Sequence, residues 1–310
     1  MKLVNSVLDV VGETPMIKLS FPEVEADIYA KLEYLNPSGS IKDRIAKYMI
    51  EQAEKRGDLK PGYTIVEATS GNTGIAFSMA AAAKGYRMVV VMPETASVER
   101  ATIMKHYGAE VVLTPAKDFV EGAVKKAKEL ASQPGWWMPA QFENFDNVAA
   151  HRETTGKEIL RQVPGGRVDA FVAGVGTGGT LMGVAEALKA VNPEVKIVAV
   201  EPIGSRSEAP KEVKEHLSVT KHKVEGIGDG FIPPIVNTEL IDEWIQVYDE
   251  DAIEMAQRLA REKGLFVGIS SGANVYASLK VAKNLGKGKV VVTVLPDSAD
   301  RYYSTDLFKE

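Results

Sequence analysis

The sequence predicts an α/β fold with mostly parallel strands and with helices on both sides of the sheet. Short runs of β-branched residues alternate with helical patterns along the 310 residues of the chain. Three late runs are almost wholly apolar, which is typical of parallel strands that are buried on both faces. Such strands need a helical layer above and below them, and the class α/β follows. The three runs read VDAFVAG, KIVAVEP and KVVVTVLP.

Strands and helices alternate from the first third of the chain. DIYAKLE predicts a strand, and a helical pattern then runs from Lys42 to Arg56. YTIVEAT precedes a helix that continues through Lys84, and RMVVVMP precedes one over residues 97–107. AEVVLT is followed by a helix over residues 121–131. Each apolar run is therefore joined to the next by a helix, as a parallel sheet requires.

Composition excludes several functional classes. The chain is 45% hydrophobic and 25% charged with a net charge of -5, which is ordinary for a globular protein with room for two core-bearing units. The mild acidity and the lack of a Lys/Arg block argue against nucleic acid and anionic membranes as partners. No run approaches the roughly 18 apolar residues of a membrane span, and the first residues lack a signal-peptide pattern. The expected compartment is the cytoplasm.

Several catalytic motifs are missing. With no cysteine, the chain has no disulfide, thiolate metal site or cysteine nucleophile. Its four histidines show neither HExxH nor a paired spacing, so no metal site is expected. Neither a P-loop motif nor a G-x-S-x-G elbow occurs. Residues 204–230 have mixed charge and a weak period, which predicts a surface excursion.

The strongest local signal is a glycine-rich loop between a strand and a helix. Gly174, Gly176 and Gly179 match G-x-G-x-x-G, and Glu201 ends the next strand. This spacing fits a dinucleotide-binding fingerprint, so a nicotinamide dehydrogenase is one hypothesis. Two interleaved threonines instead favour a small phosphate monoester, which takes hydroxyl as well as amide donors. Glycines that only allow tight strand–helix packing are a third interpretation.

A second donor-rich loop, EATSGNTG, follows a strand and opens a helix. Thr69, Ser70, Asn72 and Thr73 bring hydroxyl and amide groups to one short stretch. Helix capping explains one such residue, whereas four favour an anionic ligand such as a carboxylate or phosphate. A third loop, GISSGA, repeats the pattern around Ser270, and there capping alone is a sufficient explanation.

One lysine stands in an unusual place, the first turn of a helix. NPSGSIKDR carries the chain through a turn into the helix that begins with Lys42, where the helix dipole disfavours a cation. Either Lys42 is a solvated surface lysine tolerated at small cost, or the site needs an amine beside a helix N-terminus.

A reactive lysine, a donor loop with an asparagine and a loop sized for a phosphate monoester together describe a Schiff-base cofactor with a phosphate group. The chain resembles the cysteine synthase (O-acetylserine sulfhydrylase) and cystathionine β-synthase family of fold-type II pyridoxal-phosphate enzymes. The resemblance covers nearly the whole chain, and its motifs occur in the order found in the family. They are NPSGSIKDR, TSGNTG, MPETASVER, QFEN, VGTGGT, GIGDGFIP, GISSGA and LPDS.

The resemblance implies two three-layer α/β/α domains of the tryptophan-synthase-β-like type. A smaller, mobile domain would comprise residues 39–148 and carry the asparagine loop. A larger domain would combine residues 1–38 with 149–310 and carry the phosphate loop. The family also implies a homodimer, and it suggests serine acetyltransferase as a further partner.

The resemblance also assigns roles to individual residues. Lys42 would form the Schiff base with pyridoxal phosphate and take the α-proton of the substrate. Asn72 would contact the ring hydroxyl of the cofactor, and Ser270 its pyridine nitrogen. A neutral hydroxyl at that nitrogen favours loss of a β-substituent over transamination or racemisation. The implied phosphate ligands are Gly176, Thr177, Gly178, Gly179 and Thr180. The implied substrate-binding residues are Thr69, Ser70, Gly71, Thr73, Gln141 and Gly228.

The implied reaction is a β-replacement that forms L-cysteine. O-Acetylserine loses acetate to give an aminoacrylate, sulfide then adds, and the kinetics should be ping-pong. The alternative is a cystathionine β-synthase-like activity, or a cysteine or serine β-lyase, with serine, cysteine or phosphoserine as donor. Asp229 in GIGDGFIP and the LPDS motif favour this alternative, because a catalytic acid could protonate a departing hydroxide or activate a nucleophile.

Two further interpretations stay open at this point. An aspartate between glycines is commonly a turn residue, which would leave Asp229 without a catalytic role. A catalytically silent paralogue that binds serine acetyltransferase is a hypothesis of a different class, and the intact Lys42 and Asn72 argue against it.

Overall fold

A computed structural model describes residues 3–205 and 222–309 of the chain. Of the surface excursion predicted over residues 204–230, residues 206–221 lie outside the described part. Within the described part, no helix is both long and apolar enough to cross a membrane.

The bounds of the regular elements, numbered in chain order, agree closely with the alternation predicted from the sequence. The strands are β1 Met16–Leu19, β2 Asp27–Leu32, β3 Thr64–Ala68, β4 Arg87–Pro93, β5 Glu110–Thr114, β6 Trp136–Trp137, β7 Ala170–Gly174, β8 Lys196–Pro202, β9 Glu243–Val247 and β10 Val290–Leu295. The α-helices are α1 Lys42–Arg56, α2 Asn72–Lys84, α3 Val98–His106, α4 Phe119–Ala131, α5 Asp146–His151, α6 Lys157–Gln162, α7 Gly179–Lys189, α8 Asp249–Lys263 and α9 Ile269–Leu285. The predicted α/β class is confirmed.

The described residues form two compact units, and each has its own sheet. The smaller unit comprises residues 3–12 and 36–146, and the larger comprises residues 13–35 with the described residues from 147 onwards. The first residues of the chain therefore lie with the smaller unit, whereas the sequence-based expectation groups residues 1–38 with the larger one.

Two hydrogen bonds hold this N-terminal segment to the smaller unit. The Lys47 ammonium of α1 donates to the carbonyl oxygen of Leu8 at 2.9 Å, and the Gly12 N–H donates to the Asn36 side-chain oxygen at 2.9 Å. Both join residues 24 or more positions apart, and sequence periodicity carries no signal for contacts of that kind.

The sheet of the smaller unit is entirely parallel, with the strand order β5-β4-β3-β6. The central strand β3 is buried along its whole length, which means that both of its faces are covered. On one face, Val66 and Ala68 pack with Val89 of β4 against Ala123 of α4. Residues of β3 that alternate with these point to the opposite face.

The larger unit has a six-stranded sheet in the order β1-β2-β10-β7-β8-β9. Only the edge strand β1 runs antiparallel to its neighbour, β2. Its core includes residues of α8 and α9, and these two helices approach closely at Gly272. A Cβ atom there would collide with the carbonyl oxygen of Ala252. This packing fixes the start of α9, where Ser270 lies.

Candidate active site

In the smaller unit, α1 begins with the lysine that the sequence singled out. Asp43 follows it and is fully buried, and its carboxylate accepts a hydrogen bond from the Ser38 N–H at 2.7 Å and a second from the Ser38 hydroxyl. A carboxylate in the first turn is stabilised by the helix dipole, and it offsets the unfavourable position of the neighbouring cation. Lys42 is itself half-buried, which does not fit a freely solvated surface lysine.

The asparagine loop also lies in the smaller unit, at the start of α2. The residue that caps this helix is Gly71, and no side chain makes a capping hydrogen bond. The Thr69 hydroxyl instead accepts a hydrogen bond from the Gly71 N–H at 3.2 Å. Simple helix capping therefore does not explain the polar residues of this loop, and the interpretation as a ligand-binding loop is strengthened.

A buried hydrogen bond joins this loop to a distant predicted site residue. The Thr73 hydroxyl donates to the side-chain oxygen of Gln141 at 2.7 Å, across 68 positions of sequence. Thr73 is 3% exposed and Gln141 is 4% exposed. Because this bond occupies the amide oxygen of Gln141, the NH₂ group of the same amide is the part that can donate to an anion.

In the larger unit, the glycine-rich loop is shaped by close approaches of the backbone. A Cβ atom on Gly176 would collide with the carbonyl oxygen of Gly226, and one on Gly179 with the side chain of Asn147. Gly178 has a φ of 84°, in the left-handed region that glycine tolerates. The loop then opens α7, whose N-terminus is a favourable place for an anion, although the Gly179 N–H donates to the Thr177 hydroxyl at 3.3 Å.

The hydroxyls of this loop are held by two residues that the sequence analysis did not assign. Asn147 donates to the Thr177 hydroxyl oxygen at 3.0 Å, and the Nε2 atom of His151 lies 3.2 Å from the Thr180 hydroxyl. The other ring nitrogen of His151 pairs with Thr155 at 2.9 Å. Both partners lie about thirty positions upstream of the loop, in the segment that follows the QFEN motif.

Ser270 lies in the first turn of α9 and is 4% exposed. The capping residue of this helix is Gly268, and no side chain makes a capping hydrogen bond, so the prediction that capping explains the third loop is wrong. A Cβ atom on Gly268 would collide with the Asp297 carboxylate, which accepts a hydrogen bond from the Tyr302 hydroxyl at 2.6 Å. The LPDS motif therefore packs against the loop that carries Ser270.

The GIGDG segment of the larger unit lies beside the glycine-rich loop. The Gly228 N–H donates to the carbonyl oxygen of Val175 at 2.9 Å, and its own carbonyl oxygen accepts from the His222 ring at 2.9 Å. A carboxylate oxygen of Asp229 would lie 3.7 Å from a Cβ atom on Gly176. Asp229 is exposed, so its carboxylate is accessible beside the predicted phosphate loop.

The donors present fit the phosphate of pyridoxal phosphate. The loop offers glycine backbone without side chains that would block an anion, and two hydroxyls held by Asn147 and His151. It also lies at the N-terminus of an eleven-residue helix. This donor set suits a phosphate monoester. Within the described ranges, no group of acidic or histidine side chains could hold a metal ion.

Comparisons with known proteins also indicate a pyridoxal-phosphate dependent enzyme. The pyridoxal-phosphate dependent enzyme family matches residues 7–297. A cysteine synthase of Staphylococcus aureus is 52% identical over 309 residues, which cover 99% of this chain and 98% of that protein. The crystal structure of an O-ureido-L-serine synthase superposes with a TM-score of 0.92 at 43% identity, covering 99% of this chain and 96% of the other.

A third relative has a different named activity. An O-acetylserine dependent cystathionine β-synthase from Helicobacter pylori superposes with a TM-score of 0.92 at 40% identity, covering 99% of this chain and 100% of the other. The dehydrogenase hypothesis is thereby excluded. The chain is a member of the pyridoxal-phosphate-dependent enzyme family, within its cysteine synthase and cystathionine β-synthase group, and pyridoxal phosphate is its cofactor.

Proposed function

We propose that the chain forms L-cysteine from O-acetylserine and sulfide by β-replacement. The observation that carries the proposal is the buried hydrogen bond between Thr73 and Gln141. It joins the two parts of the chain that the family resemblance assigns to the substrate α-carboxylate. The proposal is also supported by the 52% identity to a cysteine synthase over almost the whole chain.

Groups at four helix starts would hold the cofactor. Lys42 would carry it covalently, Asn72 would contact its ring hydroxyl, and the loop over residues 176–180 would bind its phosphate. When bound, pyridoxal phosphate supplies an acceptor for the electron pair released at the substrate α-carbon. Ser270 would offer the ring nitrogen a neutral hydroxyl, which would limit the strength of that acceptor and favour loss of a β-substituent.

The remaining groups bind substrate and move its protons. The family resemblance assigns the α-carboxylate to Thr69, Ser70, Gly71, Thr73 and Gln141, and it assigns a further substrate contact to Gly228. Because the Thr73 hydroxyl donates its one proton to Gln141 without substrate, it must turn from that oxygen to donate to the carboxylate. The Lys42 amine would take the α-proton of the bound substrate. Removing the Thr73 hydroxyl should weaken the binding of amino-acid substrates by about 1.5–3 kcal/mol while the cofactor content is unchanged.

The direct test compares donors side by side. Steady-state turnover is measured with sulfide and O-acetylserine, serine, cysteine or phosphoserine. The proposal predicts the largest kcat/KM for O-acetylserine, with ping-pong kinetics. A larger kcat/KM for serine or cysteine would replace it with the second candidate function.

That second candidate is a cystathionine β-synthase-like or β-lyase activity on serine or cysteine, and the position of Asp229 supports it. An accessible carboxylate beside the glycine-rich loop could protonate a departing hydroxide or thiolate, which general acid catalysis makes worth roughly 10²–10⁴-fold. Acetate needs no such proton. Asp229→Ala should then depress the reactions of serine and cysteine far more than those of O-acetylserine. Equal losses for all donors would assign Asp229 to the turn.

We also propose the assembly and dynamics that the family resemblance implies. The protein is a cytoplasmic homodimer that can bind serine acetyltransferase, and its smaller domain, residues 39–148, moves when the α-carboxylate binds. Light scattering of the purified protein, with and without serine acetyltransferase, tests both associations. A protein that is monomeric and does not bind serine acetyltransferase would contradict both proposed associations.

A further inference from the structure

The smaller unit contains a buried acidic residue that none of the roles above uses. Glu67 lies on β3 and is 2% exposed. Its neighbours Val66 and Ala68 face α4, and the alternation of strand side chains directs Glu67 to the opposite face of the sheet. A carboxyl group in such a place is costly unless its oxygens are hydrogen-bonded.

The partners of this carboxyl are backbone N–H groups. One oxygen accepts from the Ala68 N–H at 3.1 Å, and the other accepts from the Gln141 N–H at 3.4 Å. Within the described residues, Glu67 makes no salt bridge. Its side chain therefore binds the backbone of a segment 74 positions away.

That segment has a strained backbone. Ala140 has a φ of 54°, in the left-handed region that residues with a Cβ atom seldom adopt. Its carbonyl oxygen accepts hydrogen bonds from the N–H groups of Glu143 and Asn144 at 2.9 and 3.0 Å, which closes a tight turn. Strain of this kind persists only where the surroundings determine the conformation, and it clusters at functional sites.

The turn determines where the Gln141 side chain lies. Its amide oxygen accepts from the Thr73 hydroxyl, so a continuous hydrogen-bonded path runs from Glu67 through Gln141 to Thr73. All three residues are at most 4% exposed. A shift of the backbone at Gln141 would therefore move both its amide and the hydroxyl to which it is bonded.

We propose that Glu67 is a positioning residue for substrate binding. Its carboxyl group fixes the backbone of Ala140 and Gln141, and thereby aims the Gln141 amide at the α-carboxylate of the amino-acid substrate. The inference rests on the proposed function, because it assumes that Gln141 and Thr73 bind that carboxylate.

The test uses the holoenzyme and two ligands that differ only in the carboxylate, L-serine and L-serinamide. Binding is followed by the absorbance change of the cofactor. Glu67→Met keeps the side-chain volume but removes both acceptors, and it should raise the dissociation constant of L-serine roughly tenfold or more. The constant for L-serinamide and the cofactor content should not change. Glu67→Gln retains one acceptor and should restore most of the affinity for L-serine.

A second readout is independent of the cofactor reaction. Hydrogen exchange of the peptide over residues 139–144 should be faster in Glu67→Met than in the wild type, and close to the wild-type rate in Glu67→Gln. Should Glu67→Met fail to fold, Glu67→Asp is used instead. It withdraws the carboxyl group by one methylene, and L-serine should bind several-fold more weakly while L-serinamide is unaffected.

Two control variants separate failure of this inference from failure of the proposed function. If Thr73→Ala and Gln141→Ala leave the affinity for L-serine unchanged, the loop does not bind the carboxylate and the proposed function loses its support. If both weaken L-serine binding while the Glu67 variants match the wild type, the positioning role of Glu67 is overturned. An equal loss of affinity for both ligands would also overturn it, because that result indicates general damage.

Discussion

Two of the buried acidic side chains, one in each unit, are stabilised in different ways. In the larger unit, the Glu158 carboxylate lies 2.7 Å from the ammonium of Lys31, which is fully buried. The same ammonium donates to the carbonyl oxygen and the hydroxyl of Thr14 at 2.6 and 2.8 Å. In the smaller unit, Glu67 has backbone N–H donors and no cation among the described residues.

The difference separates a structural role from a positioning role. In the Lys31–Glu158 pair each charge is neutralised by the other, and each group has further hydrogen bonds. This balanced pair joins β2 to α6 and involves no predicted site residue. A buried carboxyl group without a cation keeps part of its desolvation cost. Burial raises the pKa of Glu67 to about 8, although the N–H donors of Ala68 and Gln141 oppose that rise. The unbalanced group is the one next to Gln141.

The largest expected effect comes from breaking the balanced pair. Lys31→Met leaves the Glu158 carboxylate buried without its cation, which should lower the free energy of unfolding by about 3–5 kcal/mol. Denaturant titration followed by the fluorescence of Trp244, on β9 of the same unit, measures the change. Lys18→Met is the matched control, because the Lys18–Asp27 pair of that unit is half exposed at 50% and 44%. It should leave the midpoint unchanged, and equal effects of the two variants would contradict the comparison.

The second prediction concerns the pH dependence of the unbalanced group. The folded protein holds the Glu67 proton more tightly than the unfolded chain, whose pKa is near 4.5. The stability that this group contributes is thus complete below that pH and is lost as the pH rises to about 8. Relative to Glu67→Gln, the wild type should lose on the order of 4 kcal/mol between about pH 5 and about pH 9.

Denaturation is followed by Trp136 and Trp137, which pair with β3, in a Trp244→Phe background. Glu129→Gln is the control, since Glu129 is exposed on α4 of the same unit and should show no such difference. A wild type and a Glu67→Gln variant with parallel pH profiles would show that the group carries no burial cost.

The smallest expected effect comes from the strained alanine beside Glu67. Ala140→Gly removes the steric cost of a left-handed φ but increases the entropy of the unfolded chain, so the stability should change by no more than about 0.5 kcal/mol. Ala101→Gly in α3 is the control and should cost about 1 kcal/mol, because its backbone is helical. If Ala140→Gly costs as much as Ala101→Gly, the turn is not strained.

Much of this arrangement could be predicted from the sequence, because its signals are local. The helix of Lys42–Arg56 begins and ends where the pattern predicts, since a Ser/Gly turn precedes it and Gly57 ends it in the left-handed conformation. The long apolar runs VDAFVAG, KIVAVEP and KVVVTVLP likewise predict β7, β8 and β10, because an apolar run is a local signal. The strands β1, β6 and β9 were not predicted: β1 and β6 have only four and two residues, and β9 lacks the long apolar run of the predicted strands.

The site was predictable only where a motif lies within one loop. The contacts that position those loops, such as Asn147 to Thr177 and Glu67 to Gln141, join residues 30 and 74 positions apart. One sequence signal for Glu67 was available, an acidic residue inside the otherwise apolar and buried run TIVEA. Its partners could not be inferred, because they are backbone groups whose position depends on the turn at Ala140.

One measurement tests most directly the proposed attachment of the cofactor to Lys42, at the start of α1. The purified holoenzyme is reduced with borohydride, digested, and mapped by mass spectrometry. We expect a single pyridoxyl group, on the peptide that contains Lys42, and none in a Lys42→Ala variant. A pyridoxyl group on another lysine, or its persistence in Lys42→Ala, would contradict the assignment of the active site.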